Sequence, residues 1–567
     1  MKERIHLYMA DFETTVEMQY RVEGRVRVWA WAVEEVDQNQ KVYKGELIQD
    51  FIKLFEGKKA YIYFHNLKFD GSYLLDYWMA HGVPYGEENK EEYVTTLIDG
   101  HGAWYMLEYH CEATNTHLWF KDLMKKYRMP LEKVAGIFGI EGKSPLLLGY
   151  RPLNREVTDW EWERVLGDVR IGAVALRYQL VNHLTGLTVA SDAMMSYKDF
   201  IGRDLYDRRH PKLPLETDQI LRKAYRGGWT FLNPIYKEID INDVMIYDIN
   251  SMYPACMAGM HDEPLPYGIP IRKDPNYKLK SDELAIQRVH MSIHLKDNSF
   301  PWLHYRNMYG HTSEEYIYNE ENIQVTLTSV DIELLKQTYD LDDFMILDNI
   351  VFKSEVGQFR DFVFHQNRIK IEAGKEGNGG KRQEAKDMMN TLSGKFALNP
   401  LTKSKIPRFE ENQIRYTLMD DEREALYCPT SCFITAHCRK RIVTDANKFG
   451  SQFVYADTDS LHILKGDIDP EDLLEIDDYE LGMYAKEAEY KRARYLRAKA
   501  YYHDGGEGSD KLEIKCGGMP DRVKKTVDWN NFHLGSIFKG KLMGKVVPGG
   551  YMLAECNFKI SDKEGWL

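Results

Sequence analysis

Carboxylates set inside apolar strands constrain this chain more than any other feature. Asp248 lies in MIYDINSMYP, and Asp457 and Asp459 lie two apart in FVYADTDSLHI. A charged group on an otherwise buried strand is costly without a partner, and unpaired buried charges are rare. One such position reads as a salt-bridged structural aspartate. Two, each within a tyrosine-containing apolar strand, do not. Carboxylates gathered this way suit divalent cations that activate a hydroxyl and neutralise a polyphosphate, the requirement of nucleotidyl transfer.

A second acidic set lies near the N-terminus. Asp11 and Glu13 are two apart in the strand pattern IHLYMADFE, so their side chains face the same way. Alternating carboxylates often mark a solvated strand face, but Met9, Ala10 and Phe12 flank these. The next strand runs into FHNLKFDG and puts Asp70 at a strand-to-helix junction, where α/β sheets build sites. Asp168 sits in the apolar helix pattern VLGDVRIGAVAL, with a helix-surface aspartate as the plainer reading. Four converging carboxylates repel one another unless cations intervene. Two Mg²⁺ ions would neutralise them and clamp the water and leaving oxygen of a phosphodiester. Hydrolysis of a 3′-terminal nucleotide is the chemistry this set suits.

At 567 residues the chain is too long for one core. Apolar residues make up 43% and charged residues 29%, a globular composition. It contains no run of about 18 uncharged apolar residues and its start lacks a signal-peptide stretch, so a cytoplasmic location is expected. Seven cysteines in no paired pattern argue against disulfides. Cys428, Cys432, Cys438 and His437 match no common zinc spacing. The net charge of −13 argues against nucleic acid, but basic residues cluster at 121–128, 439–441 and 491–499.

Three motif sets in order resemble those of family B DNA polymerases. DFETT, YFHNLKFDG and the later Asp168 are similar to the three exonuclease motifs, and HNLKFDG to the form found in protein-primed phage enzymes of the phi29 type. DINSMYP and YADTDS resemble polymerase motifs A and C, with Met252 in place of a leucine. In KRQEAKDMMNTLSGKFALNP, Arg382, Lys386, Met389 and Ser393 follow helical spacing with Asn390 beside them, and the stretch resembles motif B, with Ser393 where the family has tyrosine.

The resemblance implies an α/β multidomain fold: an N-terminal RNase H-like 3′→5′ exonuclease domain, then a right-hand polymerase of palm, fingers and thumb with two protein-priming insertions. The expected boundaries are exonuclease 1–188, palm 189–260 and 428–526, insertions 261–356 and 398–427, fingers 357–397, and thumb 527–567. It implies that Asp11, Glu13, Asp70 and Asp168 hold metals for hydrolysis, with Lys143 of KSPL assisting. Thr14, His65, Asn66 and Phe69 are implied to bind a single-stranded 3′ end. Asp248 and Asp459 would hold metals for synthesis with Asp457 in support, and Tyr253 would lie under the incoming sugar. Lys370, Arg382, Lys386 and Asn390 would contact the nucleotide. One departure is Arg164, where the third exonuclease motif carries a tyrosine; Trp162 is a nearby substitute.

DNA contacts are implied for Tyr225, Gly227 and Gly228 of YRGG, for Thr435 and Arg439 of TAHCR, and for Lys499 and Tyr501 of KAY. The implied cofactors are two Mg²⁺ per active site, with Mn²⁺ able to substitute. The implied partners are primer-template DNA, dNTPs, a terminal protein primer and a single-stranded DNA-binding protein, with no membrane, for a monomeric enzyme. Competing readings are a DNA-primed polymerase of the same family, a stand-alone nuclease, and a non-catalytic DNA-binding replication scaffold.

Overall fold

The computed structural model describes residues 5–15, 17–37, 40–86, 91–140, 151, 155–305, 315–506, 508 and 510–562. Lys143, expected to assist hydrolysis, lies outside the described residues.

The N-terminal part is built on a seven-stranded sheet. Its spatial order is Val42–Gly45, Val28–Glu35, His6–Thr14, Lys59–Phe64, Thr116–Asp122, Trp104–Cys111, Glu92–Ile98. His6–Thr14 runs parallel to Lys59–Phe64, which runs parallel to Thr116–Asp122. A parallel pair needs a crossover. The helix Leu67–Ala80 begins that connection and packs on one face through Leu67, Tyr73, Leu74, Leu75 and Trp78. On the other face lies Asp159–Val181, started by a reciprocal cap in which Thr158 and Glu161 satisfy each other's backbone N–H groups. Val165, Val169, Ala173 and Leu176 of that helix pack on Met9 and Ala32 of the sheet.

The stretch 188–225, irregular in the sequence, is mostly helical. Val189–Ile201, Arg203–Arg209 and Leu215–Arg222 are interrupted at Gly202 and around Pro211 and Pro214. They lead into a second seven-stranded sheet, ordered Leu512–Cys516, Ala500–Asp504, Tyr484–Arg497, Asp240–Ile249, Ser460–Leu464, Phe453–Asp457, Thr230–Leu232. The helix Pro429–Lys448 backs this sheet. Two helices, Arg360–Lys375 and Gly379–Phe396, form the antiparallel pair expected around the GKEGNGG turn. A four-stranded sheet carries residues 264–356, with the helix Ser329–Thr338 against it. Leu401–Glu410 and Gln413–Glu422 form a hairpin, as do Ile537–Val547 and Gly550–Lys559.

These units close on one another. Ile414 of the first hairpin and Val547, Met552 and Ala554 of the second belong to the same apolar cluster as the N-terminal sheet. Tyr73 Oη donates to the Tyr551 carbonyl at 2.5 Å, and the Gly549 N–H donates to Asp76 at 3.2 Å. Gly549 has φ +93°, and a Cβ there would sit 2.0 Å from the Val26 carbonyl oxygen, so only glycine fits this approach. Tyr178 Oη donates to Glu384 at 2.5 Å, tying the helix Asp159–Val181 to Gly379–Phe396.

Thr435 and Arg439, implied by the resemblance to contact DNA, are buried. Thr435 Oγ1 donates to the carbonyls of Ser431 and Cys432, its own preceding turn. Arg439 is ion-paired with Asp331 at 2.6 Å, with both side chains nearly inaccessible. It also donates to the carbonyl of Gly227 at 2.7 Å. A buried guanidinium must spend its donors on fixed acceptors, and here Arg439 fixes the 225–228 link. Asp331 in turn accepts from Thr328 Oγ1 at 2.8 Å, at the start of its own helix. Removing one member of a buried ion pair leaves the other charge stranded. Arg439→Leu is therefore expected to cost about 3–5 kcal/mol, measurable as a lower midpoint in chemical denaturation.

Candidate active sites

The first acidic constellation lies in the second sheet. Asp248 stands near the end of the Asp240–Ile249 strand and pairs in register with Ser460 on the neighbouring strand. Asp457 ends the Phe453–Asp457 strand. Thr458 makes the tight turn between the two aspartates with φ +66°, its N–H donating to the Trp229 carbonyl at 2.7 Å. The turn carries Asp459 to the strand of Asp248, where the Ile249 N–H donates to the Asp459 carbonyl at 2.9 Å. Asp248, Asp457 and Asp459 line a single cavity of about 390 Å³.

Buried carboxylates dominate the electrostatics of this cavity, with Lys515 also on its wall. The Asp248 carboxyl is pushed up to about 8, by burial first and then by Asp459 and Glu487. Asp459 is pushed up to about 6, mainly by burial, with Asp457 and Glu487 adding to it. Glu487 was missed from sequence. It is the extra residue between Lys486 and Ala488 where the Tyr484–Arg497 strand slips against Asp240–Ile249. A bulge re-aims a side chain, and this one brings Glu487 to the cavity wall. In KEAEYKRAR it reads only as a solvated, charged strand face.

Gly228 approaches the same turn so closely that a Cβ would lie 2.6 Å from Thr458 and 3.0 Å from the Tyr253 hydroxyl. Gly227 is exposed and has open space around it, and Tyr225 packs at the core's edge. Tyr253 opens the short helix Met252–Ala258, where Ser251 turns the chain with φ +50°. Lys499 lies 3.8 Å from Asp457, and Tyr501 lines the cavity. Behind Tyr501 runs a buried chain. His462 Nδ1 and His503 Nε2 meet the Tyr495 hydroxyl at 2.7 and 2.8 Å, and His503 Nδ1 meets Glu513 at 3.2 Å.

On the helix Gly379–Phe396 the exposed stripe is Arg382, Lys386 and Asn390, one turn apart. Met389 and Ser393, expected on that face, are buried, because the opposite side packs into the core with Met388 and Leu392. Lys370 on the facing helix is pushed below the ordinary lysine value by burial and by Arg382 and Lys386. The three cations therefore converge.

The second constellation lies in the N-terminal sheet. Asp11, Glu13 and Asp168 each offer a carboxylate oxygen within 4.8 Å of the others. Asp168, with a surface position as its plainer reading, is buried. Asp70 is buried in the first turn of Leu67–Ala80 and accepts from the Phe12 N–H at 3.1 Å. Arg164 Nε donates to Glu13 Oε1 at 2.5 Å. Trp162, the nearby substitute, packs under the Lys44 ammonium at 4.6 Å. Around the site, Asn66 is exposed with φ +76°, its N–H held by Asp122 at 2.9 Å. His65 Nε2 meets the Met129 carbonyl at 3.0 Å. Phe69 contacts Tyr551 edge-on at 6.1 Å, and Thr14 is half-buried. The cysteines near 428–438 form no metal group among the described residues, where Asp11, Glu13 and Asp168 make the one such set.

Residues 174–471 match the family described as DNA polymerase type B, organellar and viral. The DNA polymerases of Bacillus phages Nf and phi29 are 33% and 32% identical to the chain, covering 98% of it and 99% of their own length. The chain belongs to the phi29-type family B DNA polymerases. Streptococcus phage Cp-1 DNA polymerase is 30% identical over the same share. Phi29 DNA polymerase with primer-template DNA superposes with a TM-score of 0.90 at 31% identity, over 98% of this chain and 100% of that one. The phi29 polymerase complex with primer-template DNA and incoming nucleotides also gives 0.90. The likeness bears out the α/β multidomain fold expected from the motifs, and the chain is a DNA-directed DNA polymerase. No described helix is long and apolar enough to cross a membrane.

For an acid whose pKa is raised on folding, the protonated form stabilises the fold, and that contribution is lost as pH climbs toward the folded value. Asp248 thus supplies stability at acid pH that disappears between about 4 and about 8 in the metal-free enzyme. Thermal melting of the metal-free enzyme is expected to fall over this window relative to Asp248→Asn. Adding Mg²⁺ is expected to restore most of the difference at the alkaline end.

Proposed function

We propose that this DNA polymerase joins nucleotides at the Asp248–Asp459 cavity and removes them at the Asp11–Glu13–Asp168 cluster, as a protein-primed replicase with 3′→5′ proofreading. The observation that carries this reading is the pair of acidic constellations on two different sheets, 7 strands each. On this reading, residues 1–188 form the exonuclease domain and 189–567 the palm, insertions, fingers and thumb within the boundaries expected from sequence.

Both donor sets are made of carboxylate oxygens, which suit Mg²⁺ or Mn²⁺ over softer metals. The raised values of Asp248 and Asp459 fit the same purpose, since a divalent cation would supply the missing positive charge. When bound, two such cations would sharpen the primer hydroxyl as a nucleophile and offset charge on the triphosphate. Asp248 and Asp459 hold that position, with Asp457 and Glu487 setting the local field. Lys370, Arg382 and Lys386 receive the triphosphate, with Asn390 on the same stripe. Tyr253 packs beneath the sugar and excludes a 2′-hydroxyl. Lys499 and Tyr501 hold the primer terminus, and Gly227 and Gly228 bring backbone against the template.

At the other cluster, Asp11, Glu13, Asp70 and Asp168 hold the hydrolytic cations. Thr14, His65, Asn66 and Phe69 bind the unpaired 3′ end, and Lys143 assists the water. A solved complex of phi29 DNA polymerase with single-stranded DNA, at 32% identity, supports single-stranded DNA as a ligand of this chain. Protein priming rests on the likeness to phi29-type enzymes and on the insertions at 261–356 and 398–427. Terminal protein, dNTPs, primer-template DNA and a single-stranded DNA-binding protein are the partners this reading requires, around a monomeric enzyme in the host cytoplasm.

Two assays test the reading. On a labelled primer-template, Asp248→Ala or Asp459→Ala is expected to reduce extension on the order of a thousand-fold and leave degradation without dNTPs intact. Asp11→Ala with Glu13→Ala is expected to do the reverse, and loss of both activities in either folded variant contradicts the two-site assignment. Incubation with terminal protein and labelled dNTP is expected to give a labelled protein adduct only when template is present. Extension from DNA primers with no adduct on any terminal protein would leave a DNA-primed polymerase.

A further inference from the structure

The two acidic sites differ in how their charge is balanced. At the first cavity the ion pair falls on Asp457, 3.8 Å from Lys499, and Lys515 also lines the wall. At the other cluster a buried cation sits directly on one of the three grouped carboxylates. Arg164 Nε donates to Glu13 Oε1 at 2.5 Å, and Glu13 is one of the three carboxylates within 4.8 Å of one another. Both partners of that ion pair are buried, the Arg164 side chain 3% and the Glu13 side chain 12% exposed.

Local structure explains why the pair forms. Arg164 and Asp168 are four residues apart in the helix Asp159–Val181 and so share a face. Packing of Val165 and Val169 on the sheet turns that face toward the strand His6–Thr14. Asp168 thereby reaches Asp11 and Glu13, and Arg164 reaches Glu13 from one turn earlier. A guanidinium remains protonated throughout the accessible pH range. Its charge at this position is permanent, unlike that of a histidine.

One Glu13 oxygen is already engaged by a charge-assisted hydrogen bond. We propose that Arg164 is a resident cation of the exonuclease-type site that competes with divalent metal for Glu13. Divalent metal therefore binds this cluster less tightly with Arg164 in place than without it. This rests on the reading of the cluster as a metal-dependent hydrolytic site.

The test uses full-length enzyme carrying Asp248→Asn and Asp459→Asn, so that the remaining carboxylate cluster dominates specific metal binding. Mn²⁺ binding is followed by the loss of the free-ion paramagnetic resonance signal. Adding Arg164→Leu is expected to tighten Mn²⁺ binding at least about tenfold, because the competitor is removed and Glu13 is freed. Arg164→Lys keeps the charge and is expected to stay close to the parent. Thermal melting separates folding from binding: Arg164→Leu without metal is expected to melt below the parent and to gain more from Mn²⁺. Further addition of Asp11→Ala and Glu13→Ala is expected to abolish the bound fraction. Equal or weaker Mn²⁺ affinity in a folded Arg164→Leu protein overturns the inference while leaving the site itself standing. Binding that is absent from the parent and from Arg164→Leu alike, or insensitive to Asp11→Ala and Glu13→Ala, overturns the metal-site reading and this inference with it.

Discussion

Burial of carboxylates that one sheet forces together, with their mutual repulsion added to it, is the constraint on which the rest of this polymerase depends. Asp248 lies opposite Ser460 on a hydrogen-bonded neighbour strand, which places it beside Asp459. Glu487 reaches the same cavity from the strand on the other side through a bulge. Burial and mutual repulsion raise the pKa values of Asp248 and Asp459, so the protein alone does not hold both ionised comfortably at neutral pH. The surrounding architecture keeps them there nonetheless. The Thr458 turn lines the cavity, Gly228 packs against that turn, and the buried Arg439–Asp331 pair holds the Gly227 carbonyl beside it. Stability is given up locally to keep a pocket whose partner is a cation from outside, a common arrangement where function and strain coincide.

The N-terminal cluster solves the same problem in another way. Its carboxylates come from a strand, from the start of one helix and from the middle of another, and the buried Arg164 carries part of the opposing charge. The Arg439–Asp331 pair uses the same chemistry for a structural purpose, anchoring the link between the two halves of the chain. Around both sites the chain closes into a ring of contacts. The two hairpins share an apolar cluster with the N-terminal sheet, and the helix Gly379–Phe396 is tied to Asp159–Val181 through Tyr178 and Glu384.

Much of this was legible in the sequence wherever a motif coincided with a regular element. DFE, DINSMYP and DTDS each lie at the end or turn of a strand, so their spacing alone gave the facing of the carboxylates. Three things were not legible. Glu487 depends on a bulge, and a strand-period reading places it among solvated charges. Arg439 and Thr435 sit in a motif expected to meet DNA, but a long apolar helix buries both, and only the tertiary partner Asp331 reveals the anchoring role. Met389 and Ser393 match the spacing of the basic stripe, yet helix packing turns them inward and leaves Arg382, Lys386 and Asn390 outside. In each case the deciding contact comes from a residue distant in sequence.

Anomalous X-ray diffraction from crystals of the enzyme soaked in Mn²⁺ tests the central claim most directly, because it locates the cations without reference to activity. The account predicts density bridging Asp248 and Asp459, and a separate, lower-occupancy peak among Asp11, Glu13 and Asp168. Absence of Mn²⁺ between Asp248 and Asp459 at concentrations that support synthesis would contradict it.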